Sequence, residues 1–302
     1  MPTRFPHGLS SYGIPVFGGL DIPANANVFF VDSGIGSNNN AGDDPANPLA
    51  TADYANGLCT ANNGDHIFLM PGHAETITTP ITMDIAGVTL WGWGRGRSMP
   101  ALTGSGAIDI ITVTAANCRI HGLRLIGASA SVTAHVNVAA DDVEIDAAQF
   151  DQAETPLSCI TIASGDRGYV HDCRVLGTAN GPDHFIDIES SGSDNWIVER
   201  IFCNWMTNGL DNAVFRANAD TASGWIIKDV VAIGLDATCL FLDFNSSAAE
   251  VGHGLIVDSA CQTLAGATVA NLLDLGGMGV VRFAISDGPN RGAILLPATS
   301  AT

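Results

Sequence analysis

The sequence predicts an all-β fold, a right-handed parallel β-helix in which short strands stack coil upon coil. Two observations lead to this prediction: an apolar pattern that recurs roughly every 25 to 30 residues, and a second apolar series that alternates with it at the same period. The first series passes through Leu90, Ile120, Ile145, Val170, Val198, Ile227, Val257 and Val281. The second series passes through Ile110, Val136, Ile160, Ile186, Phe215, Leu242, Leu273 and Leu295.

The period itself favours a solenoid. A coil of about 25 residues is too short to hold a strand, a crossover helix and a second strand with ordinary turns. The segments alternate apolar and polar side chains, which is the period of a strand and not of a helix. One coil cannot bury its apolar side chains alone, so the coils must stack around a continuous core. Parallel crossovers are nearly always right-handed, which gives the predicted hand.

A short helix is predicted to cover the N-terminal edge of the stack, where an open strand edge would invite aggregation. We expect it within residues 47–58, with Asn47 as the N-cap and Pro48 at the first helical position. Its apolar stripe would consist of Leu49, Ala52, Ala55 and Leu58.

The chain is predicted to divide into four segments along one solenoid. Residues 1–26 form an extended arm that is rich in proline and glycine, and residues 27–65 hold a first strand and the capping helix. The coils of the β-helix follow over residues 66–286, and residues 287–302 form a C-terminal strand and tail.

The composition excludes several classes of partner and cofactor. With 12 basic and 31 acidic residues the net charge is −19, which disfavours nucleic acid and anionic membranes because both are negatively charged. No apolar stretch approaches the length of a membrane span. Seven cysteines without a CxxC spacing argue against a disulfide framework and a zinc site. Phosphate-binding, dinucleotide, EF-hand, metalloprotease and nucleophile-elbow motifs are missing, so we expect no cofactor and no metal.

Aromatic residues are the candidates for partner binding. Phe5, Tyr12 and Phe17 lie in the N-terminal arm, where they could dock in grooves of a partner or a sister subunit. The alternative is an arm that folds along its own solenoid or stays loose. Trp91 could stack on a sugar ring or anchor a protein interface, whereas Trp93 is expected to pack in the core.

No enzymatic activity is expected, because the carboxylates of the second series are better explained as a solvent-facing polar ladder. These carboxylates are Asp109, Asp187, Asp243 and Asp274, each between apolar neighbours. Arg216 occupies a comparable place between Asp187 and Asp243 and would offset their repulsion. If the protein cleaved a polysaccharide, Asp187 and Asp243 would be the catalytic pair, since glycosidases use two carboxylates about 5 to 9.5 Å apart.

Residues 28–77 carry a pattern that bears on the family. A strand ending at Asp32 precedes the predicted helix, the turn Asn63-Gly64-Asp65 follows it, and an apolar strand then leads to Pro71. This order resembles the opening of pectate-lyase-type parallel β-helix proteins. The whole chain, including its arm, is similar to β-helix structural proteins of tailed bacteriophages, especially marine ones.

The resemblance to phage proteins implies a virion structural protein, in particular a head accessory subunit that decorates or cements the capsid. Such a subunit would bind the major capsid protein or another virion protein, form a homotrimer, and reach the capsid surface after assembly in the host cytoplasm. The alternatives are a tailspike-like polysaccharide depolymerase or lyase and a receptor-binding fibre component.

Overall fold

A computed structural model describes residues 10–11, 14–15, 22–23, 25–129, 131–152, 158–177, 183–189, 193–205, 213–217, 223–235, 240–244, 254–263, 273–274, 278–280, 283–287 and 294–296. Within these residues the chain is a parallel β-solenoid with very little helix, which confirms the predicted fold class. The right-handed sense rests on the general preference of parallel crossovers.

A full coil contributes three strand segments, which stack on those of the next coil in three columns that we call lane 1, lane 2 and lane 3. Lane 1 consists of Val28–Val31, His66–Leu69, Thr89–Gly92, Arg119–His121, Glu144–Asp146, Tyr169–His171, the first parts of Ile197–Trp205 and Trp225–Leu235, Gly254–Val257 and Met278–Val280. Lane 2 consists of Ala74–Ile77, Ala101–Gly104, Arg124–Gly127, Gln149–Gln152, Arg174–Gly177, the later parts of the same two long strands, Ser259–Thr263 and Phe283–Asp287. Lane 3 consists of Ile81–Met83, Ile111–Val113, Ala134–Ala139, Ser158–Ser164, His184–Ile188, Ala213–Ala217, Leu240–Asp243 and Leu273–Asp274.

Lanes 1 and 2 belong to one 18-stranded sheet, and lane 3 forms a separate eight-stranded sheet. The two long strands Ile197–Trp205 and Trp225–Leu235 contribute to both lane 1 and lane 2, which is why these lanes share a sheet. The last strand, Ile294–Leu296, pairs antiparallel with Phe283–Asp287. Leu295 therefore lies beside Ala284, and its predicted place in the second parallel series is wrong.

The register corrects three further positions of the predicted series. Ile256 and Val280, and not Val257 and Val281, continue the first series, because Ile227 pairs with Ile256. The prediction slipped there because residues 255–257 are all apolar, so hydrophobicity cannot distinguish the inward side chain from its neighbours. In the second series Ile111 pairs with Val136, and Ile110, although buried, precedes the strand.

From the coil that begins at Arg119 onward, a single residue with positive φ turns the chain from lane 1 into lane 2. This bend column consists of Gly122, Ala147, Asp172, Arg200, Asp229 and Asp258, with φ between 50° and 70°. The amides of Gly122 and Ala147 donate to the carbonyl oxygens of Asp146 and His171 in the next coil, at 3.0 and 3.2 Å. The bend is therefore hydrogen-bonded along the stack, as the strands are.

The core fills the space between the two sheets with side chains that repeat from coil to coil. Phe150, Phe185, Phe215 and Phe241 contact one another in sequence, with ring centroids 5.5 to 5.9 Å apart. Burying a column of aromatic rings of this kind stabilises the fold by about 2 kcal/mol or more per ring. Trp93, which was predicted to pack in the core, is only partly buried and follows the strand.

The capping helix is present but shorter than predicted. It spans Ala52–Asn56 with Thr51 at the N-cap, so the assignment of Asn47 and Pro48 to its start is wrong. The preceding Leu49 instead forms a parallel bridge with Val31, which holds that segment extended. Leu58 is 39% exposed and lies outside the apolar stripe.

The helix seals the N-terminal edge of lane 3 with side-chain hydrogen bonds. Asp53 Oδ1 accepts a hydrogen bond from the Thr82 amide at 3.1 Å, and Asn56 Nδ2 donates to the Thr82 carbonyl at 2.8 Å. Glu75 Oε2 accepts from the amide of Ala52 at 3.1 Å and so replaces an N-cap side chain. The strand Ile81–Met83 thus has a partner on its outer edge, which removes the aggregation hazard.

Asp65 ties the first strand to the turn that precedes the second. Its buried carboxylate accepts hydrogen bonds from the amides of Asn27 and Thr60, both at 2.7 Å, and from the Asn63 side chain at 2.7 Å. Burial alone would raise the pKa of Asp65, but these hydrogen bonds hold it below its usual range. The turn Asn63-Gly64-Asp65 therefore has a structural role.

Two features at the N-terminus bear on the predicted arm. Ser10–Ser11 pairs antiparallel with Ile14–Pro15, so the arm holds a minimal hairpin. Phe5, Tyr12 and Phe17 lie outside the described residues.

Among the six described cysteines, all but Cys59 are buried, where the thiol packs as a small apolar group. Over the same part of the chain, no helix is both long and apolar enough to cross a membrane.

Candidate functional site

The outer face of lane 3 presents one polar column. The first seven strands of lane 3 each contribute one side chain that points away from the apolar core, because side chains alternate along a strand. The column reads Thr82, Thr112, Asn137, Thr161, Asp187, Arg216 and Asp243. Asp274 pairs with Asp243 in the register of the last strand. The predicted position of Arg216 between Asp187 and Asp243 is confirmed.

A cleft of about 400 Å³ lies over the middle of this column. Four carboxylates, one guanidinium, one imidazole, one amide and three hydroxyls line it. Cavities that bind small molecules commonly measure about 300 to 1,000 Å³, so a small ligand fits by size.

Arg216 and Asp187 form the central ion pair of the cleft. Arg216 Nε donates to Asp187 Oδ1 at 2.8 Å, and Nη2 donates to the other carboxylate oxygen. Asp187 is only 5% exposed, so the guanidinium is its main compensation for lost solvent. An aspartate held this way is poorly suited to act as a nucleophile or base.

Asp109 lines the cleft from outside the column. The register gives the equivalent strand position to Thr112, and Asp109 precedes that strand. Its carboxylate accepts hydrogen bonds from Thr133 Oγ1 and, at 2.8 Å, from Asn137 Nδ2. Both oxygens of the Asp109 carboxylate therefore already accept a hydrogen bond from a neighbouring side chain.

Glu189 and His184 are the titratable groups with shifted pKa values in the cleft. The pKa of Glu189 is raised, first by partial desolvation of its carboxyl and then by the negative charge of Asp187, although the residue as a whole is exposed. The pKa of His184 is lowered to about 4, chiefly by burial and then by the nearby Arg216, so the ring is neutral at pH 7. A raised carboxyl pKa suits a general acid, and Glu189 is the described cleft residue that comes nearest to this role.

The structure does not bring Asp187 and Asp243 together as a pair. The strand that carries Arg216 lies between them, which separates their backbones by two strand spacings, roughly 10 Å. Asp187 lines the cleft, whereas Asp243 is not among the lining residues.

Of the ten described residues that line the cleft, sequence reasoning singled out Asp109, Asp187 and Arg216. It missed the other seven: Thr133, Asn137, Ser158, Thr161, Asp183, His184 and Glu189. Asn137 and Thr161 could have been found, because each lies one period before the next member of the column. His184 and Glu189 lie at the two ends of the Asp187 segment, and no repeat in the sequence marks them.

A second polar cluster lies on the outer face of lane 1. Trp91 packs against His121 in a tilted arrangement with ring centroids 3.8 Å apart, and the guanidinium of Arg119 lies 5.7 Å from the Trp91 ring. Trp91 is thus partly buried within its own chain, and its predicted role as a partner anchor stays a prediction.

Three groups of this cluster could hold a metal ion. Ligand atoms of Glu144, Asp146 and His171 lie within 4.8 Å of one another. The oxygens of Asp146 already accept two hydrogen bonds from Arg119, each at 2.9 Å, and His121 Nδ1 lies 2.6 Å from one of them. We therefore interpret the cluster as a charge network that stabilises the sheet face.

Comparisons with known proteins give a fold and no family. No protein-family model matches the chain, and no curated protein matches its sequence. Among solved structures, a rhamnogalacturonan lyase has a TM-score of 0.54 at 12% identity, over 79% of this chain and 69% of the lyase.

Two more distant structures are also similar. A GH136 lacto-N-biosidase from Eubacterium ramulus has a TM-score of 0.42 at 10% identity, over 86% of this chain and 68% of that one. ORF18 of Geobacillus virus E2 has a TM-score of 0.35 at 11% identity, over 80% of this chain and 59% of that one. At these scores neither adds to the argument. The chain is similar to rhamnogalacturonan lyase in its parallel β-solenoid fold, and this likeness concerns the fold alone.

Proposed function

We propose that the chain is a bacteriophage virion structural protein, a head accessory subunit that decorates or cements the capsid. One observation carries the proposal: on the outer face of lanes 1 and 2, neighbouring coils expose apolar side chains side by side. Such a surface favours association with another protein or another copy of the chain. We name Ile197, Phe202, Ile226, Val231 and Leu255 the apolar strip. Four of them are 38% to 45% exposed, and Ile226 is partly buried between two of these.

The apolar strip follows the register of both lanes. Ile197, Ile226 and Leu255 are consecutive partners in lane 1, and Phe202 pairs with Val231 in lane 2. The same outward positions in the three preceding coils are polar: Arg119, Glu144 and Tyr169 in lane 1, and Arg124, Gln149 and Arg174 in lane 2. A contiguous exposed apolar patch with a polar rim is typical of a protein interface.

In this proposal the apolar strip holds copies of the chain together, and the N-terminal arm binds the shell. The copies form a homotrimer on the capsid surface, and Phe5, Tyr12 and Phe17 dock on the major capsid protein or another virion protein. The net charge of −19 supports solubility of the free subunit and a partner surface of opposite charge.

Co-sedimentation with purified phage shells tests the shell contact. The full chain should pellet with shells, and a chain without residues 1–26 should remain in the supernatant with an unchanged circular dichroism spectrum. A truncated chain that still pellets, or a full chain that does not, contradicts the arm as the contact.

The molar mass measured by light scattering tests whether the apolar strip holds copies of the chain together. Wild-type protein should have the mass of several copies, and Val231→Glu should be monomeric, because a buried charge without a partner is costly. Gln149→Glu, which adds the same charge three coils earlier in the same column, should keep the wild-type mass. A monomeric wild-type protein would contradict the proposed association.

A second candidate function is a tailspike-like polysaccharide lyase or depolymerase. The observation that favours it is the cleft, where Glu189 has a raised pKa beside Asp187 and Asp109. Incubation with a panel of capsular polysaccharides, followed by detection of new reducing ends and unsaturated products, tests it. Glu189 is exposed, so Glu189→Gln should fold like wild type. Products that wild-type protein forms and Glu189→Gln does not would favour this candidate over the first.

A further inference from the structure

We propose that the lane 3 cleft binds a saccharide that offers hydrogen-bond donors and carries no carboxylate, a neutral or amino sugar. The inference takes only its ligand class from the second candidate function and does not require cleavage. It also holds for a virion protein that attaches to a glycan without cutting it.

Two buried acceptor atoms in the cleft have no hydrogen-bond partner. Asn137 Nδ2 donates to Asp109 at 2.8 Å, which fixes the amide and leaves Oδ1 unused. His184 Nδ1 lies 3.1 Å from the carbonyl oxygen of Ala213 and so carries the proton, which leaves Nε2 as an acceptor. That nitrogen is buried and unpaired. Buried polar atoms are almost always paired in folded proteins, so two orphaned acceptors in one cleft indicate a donor that a ligand supplies.

The other lining groups are also mostly acceptors. Asp109, Asp183, Asp187 and Glu189 contribute four carboxylates. A sugar hydroxyl or ammonium that donates to a carboxylate forms a charge-assisted hydrogen bond, which is stronger than a neutral one. The lining of the cleft therefore suits a ligand with several donors at neighbouring positions.

The charge of the cleft disfavours acidic sugars. Arg216 is the single guanidinium among the described residues of the lining, and Asp187 already accepts two hydrogen bonds from it. A uronate carboxylate would therefore meet carboxylates without a free cation among the described lining residues.

The spacing of the column provides neighbouring sites at a regular interval. Asn137, Thr161 and Asp187 are consecutive partners on three strands, about 4.8 Å apart. Thr161 Oγ1 also lies 2.5 Å from Ser158 Oγ, so each hydroxyl is held in place by the other. This row lets one sugar ring contact two strands at once.

An array of matched-length oligosaccharides tests the ligand class, with neutral hexose, glucosamine and galacturonate oligomers as its three arms. Binding of wild-type protein to the neutral or glucosamine arm, at least about tenfold tighter than to galacturonate, is expected. Tighter binding to galacturonate, or no binding to any arm, would overturn the proposal.

Calorimetry with the tightest oligosaccharide then tests the residues. Asn137→Leu and Thr161→Val should each weaken binding about tenfold, as expected for one lost hydrogen bond. Thr112→Val, in the same column but outside the cleft, should bind like wild type.

Glu189→Lys changes an exposed residue and should raise affinity for galacturonate, which tests the charge argument independently of folding. Wild-type affinity in both Asn137→Leu and Thr161→Val would contradict this site. Shell co-sedimentation and the product assay read out the two proposed functions separately.

Discussion

Arg216 lies directly opposite Asp187 on the neighbouring strand and donates two hydrogen bonds to its carboxylate. The pair turns a column that would otherwise be acidic into one that alternates in charge over three coils, since Asp243 follows on the next strand. The side chain of Asp187 is 7% exposed and that of Arg216 is 28% exposed. Removing one partner therefore leaves the other charge largely without solvent.

Arg216→Gln should lower the free energy of unfolding by about 2 to 3 kcal/mol, because it leaves the carboxylate of Asp187 buried without a counter-ion. The double variant Asp187→Asn with Arg216→Gln should recover much of this loss, since it removes both charges. Urea unfolding followed by circular dichroism measures both. As a control, Arg167→Gln removes exposed ion pairs with Asp141 and Asp142 and should change stability little. Equal losses in the Arg216 and Arg167 variants would contradict the structural role of the buried pair.

Asp65→Ala should destabilise the N-terminal coils by about 2 to 4 kcal/mol, because it removes the buried carboxylate that accepts hydrogen bonds from the amides of Asn27 and Thr60. The folded-state pKa of Asp65 lies below its ordinary value, so the carboxylate contributes stability above about pH 4 and loses it as the pH falls further. Hydrogen exchange should locate the loss near residues 27–69. Uniform loss across all coils would argue against a local role.

His135 should make the protein sensitive to mild acid. Neither ring nitrogen has a hydrogen-bond partner, and burial lowers the pKa of His135 to about 4 from an ordinary value near 6.5. The unfolded chain therefore binds a proton more readily, so stability is complete above about pH 6.5 and falls by up to about 3 kcal/mol as the pH drops to 4. His135→Leu should flatten part of this dependence, and His184, whose pKa is also about 4, should account for a similar part. Identical pH profiles for wild type and His135→Leu would refute the assignment.

Ala147→Gly should stabilise the protein by about 0.5 to 1 kcal/mol. Ala147 has a φ of 51°, a left-handed conformation that costs a residue with a Cβ about 1 kcal/mol or more. Gly122→Ala at the equivalent bend should destabilise it, because its Cβ would also lie 2.9 Å from the carbonyl oxygen of Gly92. Thermal unfolding midpoints should therefore move in opposite directions. A lower midpoint for Ala147→Gly would contradict the inferred strain.

The period of the sequence was sufficient to predict the solenoid, because a buried position must recur once per coil wherever coils stack. It also placed Arg216 between two aspartates, since the three residues hold the same place in consecutive coils. Exact register was predicted less well where neighbouring residues are all apolar, as at Ile256. Only the packing decides which of three apolar side chains points inward.

The cleft could not be predicted from the repeat. Asp109 and Glu189 enter it from positions beside the strands, and the lengths of the turns that carry them vary from coil to coil. The capping helix was predicted too long for a related reason. The pattern at Leu49 fits a helix, but pairing with Val31 gives its backbone groups partners in an extended conformation.

The most direct test of the proposed function is a cryo-electron microscopy map of phage virions assembled with this chain. The proposal predicts solenoid rods on the outer surface of the head, in contact with one another along the apolar strip, with residues 1–26 reaching the shell. Rods found at the tip of the tail, or virions whose heads lack them, would contradict it.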